Sequence, residues 1–111
     1  MNTLTNRESL VWAAKAAGIT LIRWNATYAC YETSEGLWNP NINDGDAQRL
    51  SVKLGLCVSH WPRQGIPDVM VGYRLTDKDG SNIIVPYDND MYAATRMAIV
   101  MAAIEIGKAM P

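Results

Sequence analysis

The segment Met91 to Met110 reads MYAATRMAIVMAAIEIGKAM, and only Arg96, Glu105 and Lys108 in it carry charge. Apolar residues fall nearly all round a helix drawn through it, and a helix apolar all round is a buried helix. No other feature constrains the fold as much, because a chain of 111 residues has little material with which to surround so long an element. Ile99, Met101, Ile104 and Ile106 point in several directions, so we expect this helix to pair with that of a second copy in a homodimer. The alternative is a monomer whose sheet and first helix wrap it. Glu105 and Lys108 can pair along the helix, which contributes only about 0.2–0.5 kcal/mol.

The chain length suits a single domain spanning residues 1–111, with a radius of gyration of about 13 Å. Such a chain buries about two-thirds of its unfolded surface and needs no disulfide or metal to hold together. An apolar fraction of 49% argues against disorder. The net charge of −1 advertises neither nucleic acid nor an anionic membrane as a partner. Cys30 and Cys57 lie in no C-x-x-C arrangement, and the single histidine cannot complete a zinc set with them. Both are expected as buried free thiols, behaving as small hydrophobes in a reducing compartment. The opening MNTLTNRESL lacks the apolar core of a signal peptide, and the charge-free run Met97 to Ile104 is too short to span a bilayer. The expected location is the cytoplasm.

Thr5 and Glu8 have the spacing of a capping box, Leu10, Val11, Ala14 and Ala17 recur at helical intervals, and Gly18 supplies a stop. A helix over about 6–17 follows. Trp12 falls off its stripe and must pack elsewhere or stay partly exposed. Strands are predicted over 19–24 and 28–32, with a turn at Thr33 to Gly36. A second helix is predicted over about 45–54, ended by Gly55, then a strand over 56–61. Pro62 to Pro67 reads as a loop. Val69, Val71, Tyr73 and Leu75 alternate as a half-buried strand does. Asp77 to Gly80 is hairpin chemistry, Asn82 to Val85 pairs back, and Asp88 or Asp90 caps the final helix. The order α-β-β-α-β-β-β-α predicts an α+β domain: an antiparallel sheet of about four to five strands with three helices on one face.

The stretch WNPNINDGDAQRL, residues 38–50, is where the chain concentrates polar groups around a helix start. A purely structural reading makes Asp44 the N-cap, sets Asp46 against the helix dipole, and lets Trp38 staple the loop to the core. Ala47, Leu50 and Leu54 then form the inward seam. A functional reading of the same atoms makes Trp38, Asn39, Asp44, Asp46 and Arg49 a binding site, since exposed aromatic and arginine side chains serve as anchors. The oxygens do not match the calcium loop D-x-[DN]-x-[DN]-G, so no metal is expected there.

Trp38-Asn39-Pro40 followed by Asp44-Gly45-Asp46-Ala47, Arg49-Leu50 and Val52-Lys53-Leu54, together with Ala98-Ile99-Val100 and Glu105-Ile106-Gly107, resembles small phage- or prophage-encoded proteins of an uncharacterised family. In that family the helix start reads W-N-P-x-x-D-D-G-D-A and a later helix ends in A-x-E-I-G. The two motifs cover about a third of the chain. Asn43 replaces a second Asp here, and Met97 and Met101 stand where Arg is frequent. The resemblance implies a phage origin and a bacterial host, and it implies no particular chemistry.

Other constellations are sparse. His60 beside Trp61 lies in no nucleophile-elbow context, and no glycine-rich phosphate cradle is present. Arg23, Trp24, Tyr28 and Tyr31 could stack on single-stranded bases, but the balanced charge speaks against nucleic acid. The reading that follows is a non-enzymatic phage accessory protein without a cofactor. It would bind a host or phage protein, for example as an inhibitor of host defence. The alternative is a small-molecule or nucleotide binder with a pocket near the Trp38–Arg49 loop. The two differ in whether Trp38, Asn39, Asp44 and Arg49 converge on a concavity or lie across a flat face.

Overall fold

A computed structural model describes residues 5–61 and 67–111. All of the predicted loop except Pro67 lies outside the described residues. The first helix, α1 (Asn6–Ala17), begins and ends where its caps dictate. The Glu8 amide donates to the Thr5 hydroxyl, and the Thr5 amide donates to the Glu8 carboxylate, each at 3.1 Å. The hydrogen bond from the Thr5 backbone, helped by the Thr5 hydroxyl contact, holds the Glu8 carboxyl below its ordinary value. This small contribution is present above the unfolded carboxyl range and is lost as pH falls through the lowered value. Gly18 then closes the helix in the left-handed region, at φ 70°.

Three short antiparallel strands follow in spatial order: β1 (Arg23–Asn25), β2 (Cys30–Thr33) and β3 (Gly36–Trp38). The strand expected from Ile19 is thus reduced to its end. The Ile19 amide is drawn back to the Ala14 carbonyl by the helix stop, so the residues just after it do not join a ladder. The third strand was absent from the predicted order. Ser34 and Glu35 turn the chain, the Thr33 hydroxyl donates to the Gly36 carbonyl at 2.9 Å, and Gly36 takes φ 112°, which side chains rarely adopt. The helix α2 (Asp44–Leu54) ends at Gly55, and a second antiparallel sheet is formed by β4 (Cys57–Trp61), β5 (Asp68–Arg74) and β6 (Gly80–Pro86). The last helix, α3 (Met91–Ala109), is capped by Asp90, whose carboxylate accepts from the Tyr92 and Ala93 amides. The α+β class with three helices holds. Its order is α-β-β-β-α-β-β-β-α, and two three-stranded sheets replace the expected single sheet of four to five strands.

The buried segment finds its cover within its own chain. It packs against α1, against α2, and against the second sheet. On that sheet the rows Val58–Val71–Ile83 and His60–Val69–Val85 share one face, and Val69 and Val71 are fully buried there. Buried Ala13, Ala14 and Ala17 on α1, with Ala98, Ala102 and Ala103 on α3, keep bulk out of the helix crossing. At Gly107 the approach is close: a Cβ there would overlap the Trp12 carbonyl oxygen and lie 3.0 Å from its carbon. Trp12 itself is half-buried, with the Lys15 ammonium 5.3 Å from its ring centroid. Ile99 and Ile104 are buried, whereas Met97, Met101, Glu105 and Lys108 face outward. The chain thus buries one side of α3 itself, while Met97 and Met101 stay 52% and 40% exposed. Among the described residues, no helix is long and apolar enough to cross a membrane.

Both cysteines are free, but only Cys30 is buried; Cys57, on the edge strand β4, is exposed, contrary to expectation. Burial pushes the Cys30 thiol above its ordinary value, with the nearby Asp46 and Glu32 carboxylates adding to the rise against a hydrogen bond from the Trp38 backbone. Thiolate is the reactive form. At neutral pH an alkylating reagent should therefore modify Cys57 and spare Cys30 in the native protein, and modify both after denaturation. Peptide mass mapping would read the difference; equal native labelling would show that β2 is open.

Candidate functional site

Trp38 closes the aromatic row Trp24–Tyr31–Trp38 across the first sheet. Trp24 and Tyr31 meet edge to face at 5.0 Å, and the Arg7 guanidinium lies 5.2 Å from the Trp24 centroid and donates to the Tyr31 hydroxyl at 3.2 Å. Arg23 pairs with Glu32 at 3.0 Å. Of the four residues suggested for base stacking, Tyr28 alone is left exposed without a partner of this kind. Trp38 is buried, so the core reading of that residue holds.

Beyond Trp38 the polar residues turn inward upon one another. Asn39 is buried; its side-chain amide donates to the Ala29 carbonyl at 3.3 Å, and its side-chain oxygen accepts from the Asn41 amide at 3.0 Å. The Ala29 backbone is left-handed at φ 51°. The Asn39 amide donates to the buried Asp46 carboxylate at 2.9 Å, and Arg49 donates to the other oxygen of Asp46 at 2.7 Å. Asn41 donates from its side chain to Asn6 at 2.8 Å, which ties the loop to the start of α1. No buried side-chain polar atom among the described residues lacks a partner. This is a latch that fixes where α2 begins.

The cap of α2 is Asn43, not Asp44: its side-chain oxygen accepts from the Asp46 amide at 2.9 Å. Asp44 instead sits in the first turn and pairs with Arg96 of α3 at 2.6 Å, while Arg96 also donates to the Asn41 carbonyl at 2.9 Å. Asn caps as well as Asp, and the residue that starts the helix is displaced by one from the acidic position. Asn43→Ala should cost about 1 kcal/mol in a urea melt, the usual loss of a capping oxygen. Asp44→Asn, which breaks an ion pair whose carboxylate is mostly exposed, should cost about 1 kcal/mol or less. An Asn43→Ala protein as stable as wild type would contradict the cap at Asn43.

The five candidate residues do not converge. Asn39 is interior, and Asp44 and Arg49 lie on opposite flanks of α2, each beside a different groove. Trp38, Asp46, Arg49 and Lys53 border one of about 710 Å³, toward the end of α1 and the β2–β3 turn. Asp44 borders another of about 490 Å³, walled by Ala47 and Gln48 of α2, His60 of β4, Tyr87, and Met91, Tyr92, Arg96 and Ile99 of α3. The His60 Nδ1 and the Tyr87 hydroxyl lie 2.6 Å apart at its side. Met91 and Tyr92 stand at the first turn of α3, 53% and 66% exposed. Sequence reasoning passed over this second groove. One signal was available: His60 occupies the same face of its sheet as Val69 and Val85, a polar residue in an otherwise core-facing row. Among the described residues, no group of three or more His, Cys, Asp or Glu is placed to hold a metal ion.

Comparison of the chain with protein-family models, with curated proteins and with solved structures gave no match.

Proposed function

We propose that this chain is a non-catalytic binding protein that receives an apolar side chain of a partner protein in the groove between α2, β4 and α3. The observation that carries the reading is the conjunction of a concave, largely apolar surface with exposed Met91 and Tyr92 at its first turn. Methionine and aromatic side chains are enriched at protein interfaces, and a pocket that desolvates one anchor supplies much of a binding energy. The resemblance to phage-encoded proteins supports a bacterial host protein as the partner, with inhibition of host defence as the consequence. The larger groove beside Arg49 supports a small-molecule or nucleotide pocket less well. Two of its polar members, Asp46 and Arg49, are already bonded to one another.

The test uses tagged protein expressed in phage-infected bacteria, comparing wild type with Met91→Ala and Tyr92→Ala. Both side chains are exposed, so the melting temperature should stay within a few degrees. A host protein recovered with wild type should be lost, or reduced severalfold, with each variant. Recovery unchanged by both substitutions would remove this groove from the binding surface.

A further inference from the structure

We infer that this chain pairs with a second copy of itself through β6, strand to strand and antiparallel about a twofold axis. The inference stands apart from the docking reading above, because that groove lies at the other edge of the second sheet. Among the described residues β6 is an edge strand, paired with β5 on one side. The Tyr87 amide donates to the Pro67 carbonyl, and the Leu75 amide donates to the Asp79 carbonyl. Bonded pairs alternate along an antiparallel ladder. Ser81, Ile83 and Val85 therefore turn their backbone groups to β5, and Gly80, Asn82 and Ile84 turn theirs outward. Proteins blunt such edges with charge, a bulge or proline. The strand reads GSNIIVP, without a charge; its register against β5 runs uninterrupted, and Pro86 stands only at the last position. Gly80, Ser81, Asn82 and Ile84 are exposed, Ile84 by 58%.

The edge complements itself, as a twofold interface requires. A register centred on Asn82 sets Asn82 against the partner's Asn82 and Gly80 against the partner's Ile84. Every outward donor and acceptor from Gly80 to Ile84 is then paired, and Pro86, which has no amide, falls outside the ladder. Each exposed Ile84 comes to lie over a glycine, at the border of a groove of about 400 Å³ walled by Gly72, Arg74, Gly80 and Asn82. The same axis covers the open side of α3. Met97 and Met101 lie roughly opposite Tyr92 and Ile99 around that helix, and those two line the groove beside β4. The methionine stripe therefore faces the β6 side of the molecule. Because α3 packs under β5 and β6 and strands are about 4.8 Å apart, the two copies of α3 would lie about 10 Å apart, near the spacing of packed helices.

Sedimentation equilibrium and residue-resolved hydrogen exchange on the full chain test the pairing together. At high-micromolar concentration the wild type should sediment at twice the 12.3 kDa monomer mass. The Asn82 and Ile84 amides, which point away from β5, should exchange slowly in that dimer and rapidly on dilution to the monomer. The Ile83 and Val85 amides should stay protected in both. Ile84→Lys puts a charge on the edge at an exposed position, so it should weaken self-association by about tenfold or more and leave the monomer's melting temperature within a few degrees. A monomer at high-micromolar concentration would overturn the proposal and leave the edge to an extended segment of another protein. A dimer in which Asn82 and Ile84 exchange as fast as open turns, or one undiminished by Ile84→Lys, would also overturn it and place the contact elsewhere.

Discussion

Trp38→Ala should lower the stability of the protein by about 3–5 kcal/mol, the range for truncating a buried tryptophan. The indole is 7% exposed and ends the aromatic row that holds the first sheet against the core. Its backbone also precedes Asn39, so a cavity there loosens the start of α2 as well as the sheet. Small domains have only about 5–15 kcal/mol in all, so this one change should move the urea midpoint by a large fraction of its value. The slope of the transition should stay the same if the unfolded state is unaltered. Trp38→Phe keeps most of the apolar volume and should recover a good part of the loss. A Trp38→Ala protein that melts like wild type would mean that the ring lies outside the core.

Gly107→Ala should also destabilise, by about 1–2 kcal/mol net, although helix propensity alone favours alanine over glycine by about 1 kcal/mol. The added methyl would overlap the Trp12 carbonyl oxygen, a backbone atom that cannot rotate away. Overpacking a tight contact costs typically about 1–3 kcal/mol, and here relief requires the helices α1 and α3 to separate. Since the buried face of α3 is lined with alanines matched to that spacing, the separation also opens the core elsewhere. The sign of the effect decides the matter. Gly107→Ala that raises the melting temperature would show that propensity governs and that the crossing is looser than described.

What the sequence made legible was local. Capping at Thr5 and Glu8, glycine stops at positions 18 and 55 and the alternation through Val69 and Val71 depend on neighbours within a few residues and are found as read, and of the two aspartates offered as the last cap the structure uses Asp90. Tertiary demands were not legible. Gly36 to Trp38 is too short to show a strand period, and it becomes a strand because β2 offers it a partner. Asp44 looks like a cap in isolation; its carboxylate is drawn instead to Arg96, far along the chain. Burial of α3 could be foreseen, but not whether the cover came from a second copy or from α1, α2 and the second sheet. Of the five candidate residues, three, Trp38, Asn39 and Asp46, are buried. A dense set of Asn and Asp at a helix start serves the backbone before it can serve a ligand, because unpaired polar groups inside a protein are costly.

Residues 38–46 form an internal latch held by hydrogen bonds among their own polar groups. Hydrogen exchange at the Asn39 amide, which donates to the buried Asp46 carboxylate, tests it most directly. In the wild type this amide should exchange slowly, close to the amides in the middle of α2. Asp46→Asn keeps an accepting oxygen and should preserve most of the protection. Asp46→Ala should accelerate exchange at Asn39 by more than about tenfold, since a buried donor left without its acceptor costs about 1–3 kcal/mol. Exchange of Asn39 in the wild type at the rate of an open loop would contradict the latch and return the stretch to the surface as a site.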